Sequence, residues 1–302
     1  MWWGSKRSFL GAHVVITGGS TGIGFALAQQ FVSRGANVTL IARTKKRLDS
    51  AIAELKDFAK SNDRKLTIRG FPADATDPSQ VAAALKYAGN VDVLVCCAGA
   101  SYPGNFLEQD LKIFEDTMQL NFFGTLRVLK AFLPGMVKKG LGQVVLVSSA
   151  AAVCGVAGYS SYAPSKAAVR SLADTLRNEL LPTGVHVSIA YPPDTDTPGY
   201  ANENTTKPTV CHAISRAAGD VLYTPEQVAV CMMRGLEQGA YHLPSPDFGQ
   251  NLMVAASAGL SPHMYNAFLE FLVAPFVALA LRIFGTIVDK AVIKHMNAEP
   301  QT

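Results

Sequence analysis

The chain has 302 residues, enough to bury a sizeable core in one large domain or two small ones. Its net charge is +4 and its lysines and arginines are scattered, which argues against nucleic acid as a partner. Only 17% of the residues are charged, against about 25% in typical soluble domains, so we expect a soluble protein with an apolar segment attached.

The five cysteines are odd in number and show no CxxC spacing. They predict buried or reduced thiols in a protein that faces the cytosol, with neither a disulfide framework nor a metal site. Residues 1–10 are too few and too weakly apolar for a signal peptide, so we expect a short N-terminal extension.

A glycine-rich turn links the first predicted strand, residues 12–17, to the first predicted helix, residues 25–33. Glycines let backbone N–H groups approach a pyrophosphate at the positive end of a helix. The turn therefore predicts a dinucleotide site. It supplies six candidate cofactor-binding residues: Gly18, Ser20, Thr21, Gly22, Ile23 and Gly24.

Basic residues follow the second predicted strand, residues 37–42. NAD-binding folds usually place an acidic residue there to hold the ribose hydroxyls. This chain has Arg43 instead, and Arg47 lies one turn further on in the predicted helix 46–60. Their charge suits the 2′-phosphate of NADP, so the sequence predicts NADPH. The alternative is a solvated basic start to that helix.

The third and fourth predicted strands cover residues 65–73 and 91–96. Asp74 ends the third strand, where its carboxylate is placed either to meet an adenine amino group or to cap the next helix. The fourth strand leads to Gly99, in a run of small residues that allows close backbone approach to a cofactor.

A long predicted helix follows over residues 107–139 and contains Asn121. A polar side chain inside an apolar helix is costly unless it is hydrogen-bonded. Asn121 therefore marks either a kink or a site that holds a water molecule.

The fifth predicted strand, residues 143–147, leads into Ser148 and Ser149 and then into a helix. Tyr162 and Lys166 are four residues apart near the start of that helix and should share one face of it. An ammonium beside a phenol lowers the phenol pKa, which makes Tyr162 a candidate general acid or base for a carbonyl/alcohol pair. We expect the Ser149 hydroxyl to bind the same oxygen. An isolated tyrosine followed four residues later by a lysine more often lies on the protein surface and has no catalytic role.

The sixth predicted strand, residues 185–190, runs into a loop that three prolines stiffen. Strands that alternate with helices predict an α/β fold, a single doubly wound Rossmann-type parallel sheet of about seven strands with helices on both faces. In that fold the site lies at the carboxyl ends of the strands. One crevice should then collect the candidates named above, and the loop adds three more: Pro192, Thr195 and Thr197.

The motif order resembles the short-chain dehydrogenase/reductase superfamily. Four motifs carry the resemblance: TGGSTGIG at 17–24, Asn121, Ser149 and Tyr162-x-x-x-Lys166. The resemblance implies that Tyr162 donates the proton, while Lys166 lowers the pKa of Tyr162 and binds the nicotinamide ribose. It also implies that Ser149 polarises the carbonyl, with Ser148 as a weaker candidate. Asn121 would hold a water in the proton relay.

The resemblance covers about residues 11–245. We therefore expect the N-terminal extension to be followed by a Rossmann domain of this family at 11–247 and a hydrophobic, membrane-associating tail at 248–302. Members of this family commonly form oligomers, so the resemblance also implies a homo-oligomer.

Two segments depart from the usual family pattern. Cys96-Cys97-Ala98-Gly99 stands where the family has Asn-Asn-Ala-Gly, which loses side-chain hydrogen bonds near the cofactor. Pro192-Pro193 replaces the usual Pro-Gly, within YPPDTDTPG at 191–199. That nonapeptide resembles a narrower group of the family, the 3-ketodihydrosphingosine reductases of sphingolipid synthesis.

The narrower resemblance implies NADPH-dependent reduction of a long-chain ketone lipid, 3-ketodihydrosphingosine, to sphinganine. It also implies the endoplasmic reticulum membrane, with the catalytic domain facing the cytosol. Two alternatives stay open. One is another membrane-associated enzyme of the family acting on steroid or retinoid ketones or alcohols, and the other is a catalytically silent nucleotide-binding scaffold.

The tail has two apolar stretches, at 248–260 and 268–288. The second is about as long as the roughly 20 residues that a bilayer core requires. It contains Glu270 and Arg282, which disfavour a clean span. Three interpretations compete: a span with charges near its ends, an interfacial or re-entrant hairpin, and a helix packed on the enzyme or on a second copy.

Overall fold

The computed structural model describes residues 7–62, 65–219 and 221–296. Most of the predicted N-terminal extension, residues 1–6, lies outside these ranges. The described end of the extension belongs to the core, because the buried ring of Phe9 packs edge-on against Phe31 at 5.1 Å.

In the described ranges, seven strands form one parallel sheet. Their bounds are β1 (His13–Thr17), β2 (Asn37–Ala42), β3 (Ile68–Pro72), β4 (Val93–Cys96), β5 (Gly142–Val147), β6 (Val185–Ala190) and β7 (His242–Leu243). They lie in the order β3-β2-β1-β4-β5-β6-β7. The strand order thus reverses between β1 and β4, the point where α/β sheets bind ligands. This confirms the predicted fold class.

Helices cover both faces of the sheet. Within the described residues their bounds are α1 (Gly22–Ser33), α2 (Lys45–Ser61), α3 (Pro78–Ala88), α4 (Leu111–Met118), α5 (Thr125–Lys139), α6 (Tyr162–Leu180), α7 (Pro198–Glu203), α8 (Thr209–Ala218), α9 (Pro225–Glu237), α10 (Phe248–Ala256) and α11 (Ala267–Met296). Helices α1, α2 and α9 share one core cluster, and α3, α5 and α6 share the other. The central strands are buried on both faces, which explains their continuous apolar sequences.

The long helix predicted for residues 107–139 is interrupted. It starts only at α4, because Asp110 caps that helix by accepting a hydrogen bond from the N–H of Lys112 at 2.7 Å. A π-helical turn, Gln119–Gly124, then separates α4 from α5 and contains Asn121. Such π-bulges often mark functional sites. The sequence predicts either a kink or a site that holds a water molecule at Asn121, and the structure shows a distortion of the helix there.

The predicted tail contains α10 and the 30-residue α11. Helix α10 packs on the sheet domain, where Val254 is buried. Helix α11 is continuous, so the structure shows no re-entrant hairpin in its described residues, and it packs against α8 and α10. Its segment Glu270–His295 is long and apolar enough to cross a bilayer, with a mean hydropathy of 2.2.

Candidate active site

A cavity of about 1200 Å³ lies at the carboxyl ends of the strands. Pockets for one small ligand usually measure about 300–1,000 Å³, so this cavity has room for a dinucleotide and a second molecule. Every predicted site residue except Asp74 and Asn121 lines it. The structure therefore brings the predicted residues together in one crevice, and their individual roles stay predictions.

The glycine turn after β1 fits a dinucleotide because its glycines have no side chains and its backbone is closely packed. Gly18 has a φ of +68°, and a Cβ there would lie 2.9 Å from the backbone of Ala98. A Cβ on Gly24 would lie 2.4 Å from the Gly18 carbonyl oxygen. In the described part of the chain, the Thr21 side chain makes no capping bond to α1. The first turn of α1 therefore keeps backbone N–H groups for a phosphate, which the helix dipole favours.

The cavity is basic where β2 ends. Arg43 and Arg47 are both exposed and line it. Lys45 instead pairs with Asp49 along α2, with Nζ and Oδ2 2.7 Å apart. Among the described residues, β2 and the start of α2 contribute no acidic side chain to the lining. This end of the cavity therefore carries positive charge, and the choice between NADPH and NADH stays a prediction.

The Asp74 carboxylate makes local hydrogen bonds. Its Oδ1 accepts hydrogen bonds from the backbone N–H and the hydroxyl of Thr76, each at 2.8 Å. The cap of α3 is Asp77, which accepts a hydrogen bond from the N–H of Ser79 at 2.8 Å. One oxygen of the Asp74 carboxylate therefore serves a local turn, and the adenine contact stays a prediction.

Tyr162 begins α6, and Lys166 lies one turn further on. The Lys166 Nζ is 5.7 Å from the centre of the Tyr162 ring and donates a hydrogen bond to the Val147 carbonyl oxygen at 3.0 Å. The Ser149 hydroxyl lies within hydrogen-bonding reach of the Tyr162 phenol. It also accepts the N–H of Ala151 at 3.2 Å, which fixes its direction. A substrate carbonyl beside Tyr162 would thus meet two hydroxyl groups.

Ser148 and Asn121 hold this group in place. The buried Ser148 hydroxyl donates to the Lys166 carbonyl oxygen at 2.8 Å. Asn121 donates to the Ala100 carbonyl and the Ser165 hydroxyl and accepts the Ala100 N–H, each at 2.9 Å. Because both amide N–H groups of Asn121 already bind protein atoms, its side chain ties the loop after β4 to α6. Its part in a water relay stays a prediction.

Comparison with known proteins decides the family. A family model for short chain dehydrogenases matches residues 12–208. The chain belongs to the short-chain dehydrogenase/reductase family. It is therefore an oxidoreductase that uses a nicotinamide cofactor.

Relatives and solved structures agree with this family. The chain is 37% identical to a 3-ketodihydrosphingosine reductase of Dictyostelium discoideum, over 96% of this chain and 91% of that protein. It is 40% identical to a 3-dehydrosphinganine reductase of Danio rerio, over 83% and 76%. A short-chain dehydrogenase from Sphingobium yanoikuyae, solved with NADPH, superposes with a TM-score of 0.68 at 27% identity, over 78% and 88% of the two chains.

The pKa values of this short-chain dehydrogenase differ from the sequence-based expectation. Burial raises the pKa of Tyr162 above its ordinary value, and the nearby carboxylates of Glu203 and Asp194 act in the same direction. The Ser149 hydrogen bond acts against them. The net shift is upward because desolvation is its largest cause, and the lowering of this pKa by Lys166 stays a prediction. A phenol that stays protonated suits the proton donor of a reduction.

The cysteine segment after β4 is apolar. Cys96 and Cys97 are not joined in a disulfide, and burial raises the pKa of Cys97 to about 11. The backbone N–H groups of Cys97 and Ala98 donate to the Thr17 hydroxyl at 3.2 and 3.4 Å. Thr17 therefore holds together the loops after β1 and β4 on which a cofactor would lie.

The sequence analysis did not assign two groups of cavity residues. The first comprises Tyr159 and Glu203, which lie beside Tyr162, and the second comprises Leu281 and Phe284 from α11. Only the apolar character of the tail pointed to the second group. In the first group, Tyr159 lies three residues before Tyr162, whereas Glu203 approaches both only through the fold.

The reduction rate should fall as pH rises through about 8. Burial lowers the pKa of Lys166 to about 8, so its ammonium loses the proton above that pH and no longer stabilises the phenolate that forms on Tyr162. A kcat/KM profile from pH 6 to 10 checks this, with cofactor affinity measured at each pH as the control. A flat profile with unchanged cofactor affinity would contradict it.

Proposed function

We propose that the chain reduces 3-ketodihydrosphingosine to sphinganine with NADPH. This proposal rests on two surfaces that meet within one cavity. Ser149 and Tyr162 lie at one of them, and the other is an apolar wall formed by α8 and α11. That wall includes Ile214, Val277, Leu281 and Phe284. A ketone on a long alkyl chain matches both surfaces, and the names of the two relatives support the same substrate.

The residues present can carry out each part of this reduction. Tyr162 and Ser149 donate hydrogen bonds to the ketone oxygen, and Tyr162 then releases its proton to that oxygen. Lys166 lies beside the phenolate that results and stabilises it. The reduced nicotinamide, when bound, supplies the hydride to the ketone carbon. The glycine turn and the start of α1 would hold its pyrophosphate.

The substrate assignment is tested by a panel of ketones with NADPH. We expect turnover of 3-ketodihydrosphingosine and little turnover of a steroid ketone or of retinal, because a flexible chain follows a helix-lined wall better than a fused ring system does. Preference for the steroid or the retinoid would support the first alternative. Cofactor binding with no turnover of any ketone would support the silent scaffold.

The preference for NADPH over NADH should depend on Arg43. We expect Arg43→Ala to lower kcat/KM for NADPH about 10- to 100-fold, the usual effect of losing a hydrogen bond to a charged group, and to leave NADH unchanged. Arg47→Ala should act in the same direction. Lys46→Ala is the matched control, because Lys46 is exposed and does not line the described cavity. Equal losses with both cofactors would contradict a phosphate contact.

The outer face of α11 is proposed to lie on a membrane surface. Its inner face packs on the enzyme, with Val288 and Val292 against the cluster around Ile214. Its outer face exposes Phe271 and Phe276 by 76% and 74%. A helix that packs along a domain in this way is better placed to lie in the plane of a bilayer than to cross it. We place this membrane at the endoplasmic reticulum with the catalytic domain in the cytosol, and homo-oligomerisation stays a prediction.

Vesicle binding should depend on the outer face of α11. Leu279 and Leu141 are exposed by 59% and 60%, and Leu141 precedes β5, at the amino end of that strand and away from the cavity. Inserting one leucine is worth about 1.5–3 kcal/mol, so Leu279→Glu should weaken co-sedimentation with lipid vesicles about 10- to 100-fold. Leu141→Glu should have no effect. Equal binding of both variants would contradict insertion of α11.

A further inference from the structure

An ion cluster of Asp194, Glu203 and Lys207 lies on the cavity wall beside Tyr162. The side chain of Lys207 is 1% exposed. Its Nζ lies 3.5 Å from Glu203 Oε1, 3.8 Å from Asp194 Oδ2 and 4.8 Å from the centre of the Tyr200 ring. Burial alone would lower the pKa of Lys207, but the two carboxylates hold it above its ordinary value.

The cluster has one negative charge more than positive charges. Two carboxylates share a single ammonium, so its net charge is −1 when all three groups are ionised. Asp194 and Glu203 line the cavity, whereas the buried Lys207 lies behind them. An unmatched charge at a partly desolvated wall is costly unless a counter-charge arrives. The cavity side of this cluster therefore favours a cation over a neutral group.

Tyr159 lies between the cluster and the reacting centre at Tyr162. The Tyr159 hydroxyl donates to Glu203 Oε1 at 2.6 Å, and its ring centre lies 6.2 Å from that of Tyr162. A cation bound at Glu203 would thus lie close to a ketone that Tyr162 protonates. In 3-ketodihydrosphingosine, the carbon next to the ketone carries a primary amine.

We propose that Asp194 and Glu203 bind the protonated amine of a 2-amino ketone substrate and select it over ketones without the amine. This inference rests on the proposed function, since it names how the site recognises that substrate. The ammonium would lie between the two carboxylates, with Lys207 and Tyr159 holding them in position. Steroid and retinoid ketones have no amine, so the cluster would not strengthen their binding.

The experiment compares 3-ketodihydrosphingosine with its deamino analogue, 1-hydroxyoctadecan-3-one. The measured quantity is the ratio of kcat/KM for the amino ketone to that for the analogue. Glu203→Gln keeps the shape and still accepts the Tyr159 hydroxyl, and we expect it to lower the ratio about 10- to 100-fold. Asp194→Asn should lower it as well, and its more exposed carboxylate makes loss of folding a smaller risk. Asp49→Asn, on the exposed face of α2, is the matched control.

The outcomes separate this inference from the proposed function. If the wild type turns over neither ketone, the proposed function fails. If it turns over both equally, or if each variant lowers both rates by the same factor, the cluster has a structural role and the inference is overturned. A ratio that falls only in the two cavity variants supports ammonium recognition.

Discussion

Replacing Tyr162 by phenylalanine should lower the rate of ketone reduction about 100- to 10,000-fold, the range expected when a general acid is removed. The variant keeps the aromatic ring and loses only the hydroxyl that faces Ser149. NADPH affinity should stay within a few-fold of wild type, because the glycine turn and Arg43 remain. Single-turnover reduction and NADPH fluorescence titration measure the two quantities.

Tyr87→Phe is the matched control, since Tyr87 lies on α3 against Phe71, away from the cavity. It should leave reduction unchanged. Residual activity of Tyr162→Phe above a tenth of the wild-type rate would show that another group supplies the proton. A parallel loss of NADPH affinity would show that the phenol mainly shapes the cofactor site.

A methyl group on Gly24 should damage both cofactor binding and stability. The new Cβ would lie 2.4 Å from the Gly18 carbonyl oxygen, and a backbone atom cannot move away as a flexible side chain can. Overpacking of this kind costs about 1–3 kcal/mol. We therefore expect Gly24→Ala to lower the free energy of unfolding by about that amount and to weaken NADPH binding about 10- to 100-fold.

Gly135→Ala separates this effect from a general response to alanine. Gly135 lies within α5, where a Cβ meets nothing within 4 Å. Alanine is favoured over glycine in a helix by about 0.5–1 kcal/mol, so this variant should be slightly more stable than wild type and should bind NADPH normally. Urea unfolding with and without NADPH measures both effects. Normal NADPH binding by Gly24→Ala would contradict a closely packed phosphate turn.

The sheet and most of the site followed from local sequence patterns. The predicted bounds of the second and sixth strands match β2 and β6. The third strand starts at Ile68, three residues later than predicted, although the Thr67 carbonyl already accepts the N–H of Val38 on β2 at 2.9 Å. The site residues could be predicted because parallel strands place the residues that follow them at one edge.

The remaining features depend on burial and on distant packing. The spacing of Tyr162 and Lys166 predicts an ammonium near the phenol but says nothing about desolvation, which determines the direction of the pKa shift. The pairing of Lys207 with Asp194 requires α7 to fold back over the loop after β6. The apolarity of α11 predicted a membrane contact, whereas its second role as a cavity wall appears only once Leu281 is placed beside α8.

The most direct test of the central claim follows the hydride. Wild-type protein in detergent is given 3-ketodihydrosphingosine and NADPH that carries deuterium at both C4 positions of the nicotinamide ring, and the product is analysed by mass spectrometry. We predict sphinganine with a single deuterium on C3, formed by wild type and lost with Tyr162→Phe. No sphinganine from wild type, or sphinganine without deuterium on C3, would contradict the proposed reaction.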